Sequence, residues 1–421
     1  MDRFHRRCTM RNRVAGFSCL ALIAAGAAAQ DDVAPVSSSV IYDANVLANV
    51  RGGARRGSGY QGMLRWQTSV DGERAFGWPD SSGFVNVMAA HHAGPAILTG
   101  DAQGVSNMTA PPGVRLEEAW MQQNFLNDRL SVLAGRYDLN SEFYHLNAAT
   151  LFFNSSFGIG AEFGQSGPGG PSIFPATAIG VRIAVKPAPD VVLRAAVLDG
   201  VPVDRAGGRR AAFRGGDGLL LVYEMAWLHR PESADAPPDH HLRIGRNAGL
   251  ATDQGKLAVG GWYYTARFAD LGALDAAGQP RQQRGSGGAY LVAERALYQS
   301  GAGTQQAVTG FVQSGVADSR VNRFNAYLGA GVTATGFVPG RAADTLGLAL
   351  AIARNGDAYL RGQDAAGLVN RRAESTVELT YLRQVNPHLS LQSSVQYVIH
   401  PNTLAGTANA LTLQLRAEVA F

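Results

Sequence analysis

The chain has 421 residues, 46% of them hydrophobic and 17% charged, with two cysteines and a formal charge of +4. That length holds two or three ordinary domains or one large barrel. Five of the 37 basic residues and one of the 33 acidic residues fall within residues 1–29, which leaves 32 of each sign and excludes a charge-based case for nucleic acid or acidic partners.

Arg3, Arg6, Arg7, Arg11 and Arg13 open the chain against Asp2, and Val14–Ala28 is apolar or small. Ala27-Ala28-Ala29 then has the small-x-small form of a cleavage site. That order predicts a secretory signal peptide over residues 1–29, cut before Gln30. The apolar run is shorter than the ~20 residues a spanning helix needs. Cys19 is not in a lipoprotein cleavage box, because Gly16 stands where Leu is required. Both cysteines, Cys8 and Cys19, leave with the peptide. Residues 30–421 therefore hold no thiol, which excludes disulfides, thiolate metal sites and cysteine nucleophiles.

Residues 30–421 read as a single domain. No stretch there approaches the roughly 18 consecutive apolar residues of a transmembrane helix. Only helices and closed barrels span a bilayer, so in a membrane this chain is a barrel. Residues 30–60 are polar and Gly-rich and read as an N-terminal segment, either periplasmic or lumenal. Strand-like segments follow near 62–70, 84–92, 115–126, 130–138, 177–186, 190–198, 218–229, 240–246, 256–266, 287–298, 305–314 and 324–335. A weaker one near 157–163 is either a strand or part of a loop. Toward the end the alternation sharpens. Leu346, Leu348, Leu350 and Ile352 share one face, then Val377, Leu379 and Tyr381, then Leu389, Leu391, Val395 and Tyr397. In Leu411–Phe421 the odd positions are Leu411, Leu413, Leu415, Ala417, Val419 and Phe421, between Thr412, Gln414, Arg416, Glu418 and Ala420. This is the period of a strand, at about the 9–11 residues that cross a bilayer on a tilt.

The expected fold is all-β: a transmembrane antiparallel β-barrel of about 16 strands with long extracellular loops. A soluble sandwich or propeller also alternates. The barrel is favoured because the strongest strand ends on aromatic Phe421, and because Tyr263, Tyr298 and Tyr397 stand near strand ends as an interfacial girdle would. The long irregular stretches are 93–114, 139–156, 164–176, 199–217 and 267–286.

Several blocks carry a family resemblance. Asn49-Val50-Arg51-Gly52-Gly53-Ala54-Arg55-Arg56-Gly57 and Gly100–Asn107 resemble the carbohydrate-selective porins of the OprB type. Gly135-Arg136-Tyr137-Asp138-Leu139-Asn140-Ser141-Glu142-Phe143-Tyr144 is similar to the same family, as are Leu151–Gly158, Pro171–Pro175 and Glu374–Phe421. The likeness covers residues 30–421 in order. One departure is Val201-Pro202-Val203-Asp204, where the family usually has Pro-Gly-Asp-Pro or similar. The resemblance implies a sixteen-stranded outer-membrane barrel in a Gram-negative bacterium, passing monosaccharides and related small sugars by passive diffusion. Composition and spacing alone show no sugar.

A sugar pore needs groups that bind hydroxyls and release them. Lys186 and Lys256 are the lysines of the chain, so nearly all positive charge is Arg, whose planar fork holds neighbouring oxygens in fixed geometry. Parity places Arg182 and Arg194 in the lumen, since Ile179, Val181, Ile183 and Val185, and likewise Val191, Leu193 and Val197, occupy the lipid face. Glu118 and Trp120 share a face, as do Arg136 and Asp138. Asn140, Ser141 and Glu142 continue that motif into a loop expected to fold inward as a constriction. The pore-lining, sugar-contacting candidates are thus Glu118, Trp120, Arg136, Asp138, Asn140, Glu142, Arg182 and Arg194, set against the plainer role of bracing the wall. Phe421 is the candidate for membrane assembly.

No cofactor is expected. His91-His92 and His240-His241 resemble metal pairs, but adjacent strand residues point to opposite faces. Gly285-Ser286-Gly287-Gly288 lacks the Gly-Lys-Ser/Thr of a phosphate loop, and no serine sits in a nucleophile elbow. The expected protein is not an enzyme. Its partners are small sugars, outer-membrane lipid, and the assembly machinery through the C-terminal strand, as a monomer or homotrimer. A porin of this fold for other small polar or anionic solutes is the alternative, ahead of an outer-membrane hydrolase or a secreted binding module.

Overall fold

A computed structural model describes residues 34–91, 96–202, 212–229, 255–300 and 306–421. Sixteen antiparallel strands form a closed barrel among the described residues. They are β1 (Val36–Arg51), β2 (Gly57–Asp71), β3 (Ser81–His91), β4 (Gly113–Phe125), β5 (Leu130–Tyr137), β6 (Ala178–Ala188), β7 (Val191–Asp199) and β8 (Leu219–His229). The rest are β9 (Gly255–Leu274), β10 (Pro280–Gln299), β11 (Ala307–Ala317), β12 (Phe324–Thr335), β13 (Thr345–Asn355), β14 (Ala373–Asn386), β15 (Leu389–Ile399) and β16 (Ala410–Ala420). Each strand pairs with its neighbours in sequence, and β16 pairs with β1, Asp43 opposite Glu418.

The alternation read in the sequence is the inside and outside of this wall. In β16 Leu413 and Leu415 are exposed outward while Gln414 and Arg416 are buried inward. Tyr263, Tyr298 and Tyr397 are exposed. The connections at the end holding Val36 and Phe421 include the short turns 126–129, 189–190 and 387–388, whereas 138–177 lies at the other end. In barrels of this kind the long loops face outward, which orients the molecule.

Two expectations change, and the open reading of 157–163 resolves to its loop alternative. Residues 30–60 are not a lumenal or periplasmic segment over most of their length: Val36–Arg51 is a wall strand. It hid because inward Ile41 and Leu47 interrupt the polar face. The stretch 267–286 is a two-strand extension of β9 and β10 around a turn at Asp275–Gln279, not an irregular loop. The segment 157–163 belongs to a loop with two short helical turns, Ser155–Phe157 and Ala161–Gly164. The segment expected at 240–246, and His92, His240 and His241, lie outside the described residues.

The loop 138–177 folds into the barrel. Its Leu139, Phe143, Tyr144, Phe152, Phe157 and Phe163 are buried against inward Trp262, Tyr290, Phe311, Tyr327 and Ala349. Here the inner wall is apolar, with Ala226, Ala258, Val292 and Ala351 facing in, so burying those side chains under the loop removes apolar surface from water. Phe163 stacks on Trp262 with centroids 4.2 Å apart, and Tyr144 meets Tyr290 at 4.5 Å. A second loop, between β3 and β4, covers the opposite, polar wall. Gln396 and Gln414 both donate through Nε2 to the Val105 carbonyl, at 2.8 and 2.7 Å.

Candidate functional site

Inserting loops into a barrel buries backbone N–H groups, and each buried one needs an acceptor. Wall carboxylates supply them in pairs. Glu294 accepts the amides of Asn147 and Ala148, at 3.1 and 2.8 Å. Glu378 accepts those of Phe153 and Asn154, at 2.7 and 3.0 Å. Glu374 accepts those of Ala102 and Gln103, at 2.8 and 2.9 Å. Glu224 accepts the Tyr144 amide and the Tyr290 hydroxyl, both at 2.9 Å. The narrowed lumen is therefore held by carboxyl side chains on rigid strands.

Several predicted residues belong to this bracing. Glu142 is buried beneath Arg182, whose Nε donates to Oε2 at 2.8 Å, while the Tyr137 hydroxyl donates to the same oxygen. Arg182 also donates to Gln122 Oε1 and to Ser131 Oγ. Arg194 lies 3.8 Å from Glu142 and 3.5 Å from Glu224, and Lys256 lies 3.2 Å from Glu224. Arg182 and Arg194 point inward as parity required, but toward carboxylates that hold the loop. Asn140 donates to the carbonyls of Phe143 and Gly158, which tightens the same loop. Trp120 is buried inward against Phe84, 5.5 Å between centroids.

Arg136 and Asp138 do not share a face. Arg136 lies opposite Ile179 in the β5–β6 register, on the outward side, and its Nη1 donates to the Leu116 carbonyl at 2.7 Å. The inward side of β5 is Leu133, Gly135 and Tyr137. The strand ends at Tyr137, and Asp138 turns in to cap the helical turn Leu139–Ser141, accepting the Asn140 amide at 2.8 Å. Burial pushes the Asp138 carboxyl up to about 6, although the Asn140 and Phe174 amides favour its charged form. Glu118 accepts the Asp138 amide at 3.1 Å.

A charged row on the neighbouring strands escaped the sequence reading. Arg65 donates to Asp43 at 2.6 Å, lies 3.5 Å from Glu418, and remains 17% exposed. A bulge in β4 between Leu116 and Glu118 turns both Glu117 and Glu118 inward, and Asn86 donates to Glu117 at 2.9 Å. Glu117 is near enough to Asp138, Arg65 and Arg115 for their charges to act on it. The signal in the sequence was Arg65 between Leu64 and Trp66, the opposite parity to two apolar neighbours.

Two buried loop groups complete the electrostatics. His145 is pushed down to about 4 by burial and by Lys256, so it is neutral at pH 7. Glu162, buried among Tyr144, Tyr327 and Phe163, is pushed up to about 7 by burial, with the Tyr144 hydroxyl donating to it at 3.0 Å.

The family model described as carbohydrate-selective porin, OprB family, matches residues 55–421. Porin B of Pseudomonas aeruginosa is 22% identical over 330 residues, covering 73% of this chain and 68% of that protein. Among solved structures, the high-pH structure of Pseudomonas putida OprB aligns with a TM-score of 0.78 at 18% identity, covering 92% of this chain and 94% of the other. The outer-membrane channel DcaP of Acinetobacter baumannii aligns at 0.52 and 10% identity, over 92% and 97%. These structural likenesses agree on the sixteen-strand fold, and the family match spans nearly the whole barrel. The chain belongs to the OprB family of carbohydrate-selective porins, and it is a sugar-selective channel of the Gram-negative outer membrane rather than an enzyme.

Proposed function

We propose that the channel passes monosaccharides and related small sugars by passive diffusion, and that the solute meets the row Arg65, Arg115 and Glu117 with Asp138 beside it. The observation that carries this is Arg65: an arginine set between two carboxylates yet still partly exposed. Such a group keeps donors for neutral hydroxyls while its field on ions is largely cancelled by Asp43 and Glu418. Glu118 and Trp120 flank the row. Arg182, Arg194, Asn140 and Glu142 act by fixing the loop that narrows it.

Planar-bilayer recording with glucose titrated in tests this reading. Arg65→Ala is expected to weaken sugar block of the ion current, whereas outward Arg136→Ala is expected to match the wild type. Equal block in all three proteins would reject the site. An absence of block, with strong anion preference in a salt gradient, would favour the alternative solutes. Residues 1–29 are proposed as a signal peptide, tested by N-terminal sequencing of the outer-membrane protein. The C-terminal strand ending at Phe421 is proposed to engage the assembly machinery. A monomer or a homotrimer is proposed for the membrane, distinguished by mass in lipid discs.

A further inference from the structure

The extended hairpin of β9 and β10 carries a feature that the sugar path does not use. Arg267 and Arg284 lie directly opposite each other in the β9–β10 register, and both are exposed. Like charges placed opposite across a sheet repel. No carboxylate relieves them: among the described residues neither side chain makes a hydrogen bond or ion pair. The nearby acids are engaged elsewhere. Asp270 accepts the amides of Gly272 and Ala273 at 2.9 Å and the Gln283 amide group at 3.0 Å. Asp318 is gripped by the fork of Arg320, at 3.0 and 2.7 Å.

Their height on the barrel identifies what faces them. On β10 the outward row runs from Arg295 through Ala293, Leu291 and Ala289 to Arg284. Eleven residues separate the two arginines, about 36 Å along a strand and about 27 Å along the membrane normal at a usual tilt, close to the ~25 Å apolar band of such barrels. Tyr263, exposed on β9, stands just below the upper pair. The Asp275–Gln279 turn above them is at the same end as loop 138–177, the outer end.

We propose that Arg267 and Arg284 together bind a phosphate of a lipid headgroup in the outer leaflet. A phosphate offers enough oxygens for two guanidinium forks and carries the charge that cancels their repulsion. The lipid acyl chains then lie along Leu291 and Val259, which are exposed below.

The test uses the folded full-length porin in detergent and native mass spectrometry. The probes are a bisphosphorylated diglucosamine lipid, the same lipid stripped of phosphate, and inorganic phosphate. The wild type is expected to retain the phosphorylated lipid about thirtyfold better than the R267Q/R284Q variant, since each arginine at a charged lipid surface contributes a little over fivefold. Arg284→Lys, which keeps charge but loses the fork, is expected to fall between them and serves if the double variant folds poorly. Equal retention by wild type and variants overturns the proposal. So does equal retention of the dephosphorylated lipid, or binding of inorganic phosphate without preference for the lipid.

Discussion

Replacing Glu378 with Gln tests whether the constriction is held by carboxylates acting as paired acceptors. Glu378 Oε1 accepts the Phe153 amide at 2.7 Å and the Ser394 hydroxyl at 3.0 Å, and Oε2 accepts the Asn154 amide at 3.0 Å. Gln has nearly the same size but one acceptor, and its NH2 group would face a backbone N–H. One buried donor then loses its partner and the other loses a charged acceptor. An unsatisfied buried donor costs about 1–3 kcal/mol, and the lost charge assistance about 1 more. The sum, about 2–4 kcal/mol, falls on the opening of loop 138–177, because Glu224 and Glu294 hold that loop at other points and the wall ladders are untouched. At 1.4 kcal/mol per factor of ten, amide exchange at Asn154 is expected to accelerate by roughly 30- to 700-fold. Hydrogen exchange of the porin in lipid discs reads this directly, and single-channel recordings should become noisier. Glu378→Ala, which removes both acceptors, should exceed Glu378→Gln. If exchange at Phe153 and Asn154 is the same in Glu378→Gln and wild type, the paired-acceptor reasoning is wrong, and the apolar contacts of the loop alone fix it.

Three other perturbations follow from the same geometry. Arg182→Met strands buried Glu142 with Arg194 3.8 Å away, and breaking such a pair should cost about 3–5 kcal/mol, seen as an earlier urea midpoint in vesicles. Phe421→Asp should cut the yield of heat-modifiable folded protein. The last residue exchanges two backbone hydrogen bonds with Val40 at 3.0 Å, and its ring stacks on His388 at 6.2 Å, so a charge there disturbs the closing strand. Glu162 titrates near 7 in the folded protein and near its ordinary 4.5 when unfolded, so the folded state binds more protons between these values. Stability is therefore full below about pH 4.5 and is lost as pH rises through about 7. Glu162→Gln should remove that loss, making the loop more protected than wild type at pH 8 and no different at pH 4, by hydrogen exchange.

The barrel was legible because lipid demands a strict outer face. Leu411 through Phe421 shows it without interruption, and β6 and β7 put Arg182 and Arg194 inside by simple counting. Counting failed wherever the backbone left the regular pleat. Parity puts Arg136 and Asp138 on one face, yet the strand ends between them and Asp138 turns in as a cap. Glu118 faces inward on the parity it shares with Trp120, but the bulge that also brings Glu117 inward leaves no mark in the alternation. β1 was missed for a different reason. Its inner face carries Ile41 and Leu47, the latter packed against Leu98 and Val105 of the β3–β4 loop, and such positions look apolar on both sides. The upper ends of β9 and β10 give no strand signal in the sequence, because strands standing above the apolar band have no apolar face to reveal them. The inserted loops did leave a sign: Gly347, Ala349 and Ala351 alternate with Leu346, Leu348 and Leu350, so β13 is apolar on both faces, as only a covered inner wall permits.

The distribution of charge along the lumen connects this architecture with selectivity for neutral solutes. A wide barrel with ionised walls would attract counter-ions before sugars. Here Glu142, Glu224, Glu294, Glu374 and Glu378 are all buried and engaged by loop amides, arginines or Lys256. These carboxylates hold a rigid constriction and at the same time are removed from the path of ions. Arg65 stays partly exposed, and its positive charge is met by Asp43, Glu418 and Glu117, which are buried around it. Residues 30–421 carry 32 charges of each sign, and around Arg65 the two signs lie within 3.5 Å of each other. Paired charges retain directional donors and acceptors while their net field falls off quickly, and hydroxyls read the donors and acceptors whereas ions read the field. The same carboxylates that let the loops fold inward are therefore engaged by loop amides and cations within the wall, which ties the narrowing of the lumen to the pairing of its charges.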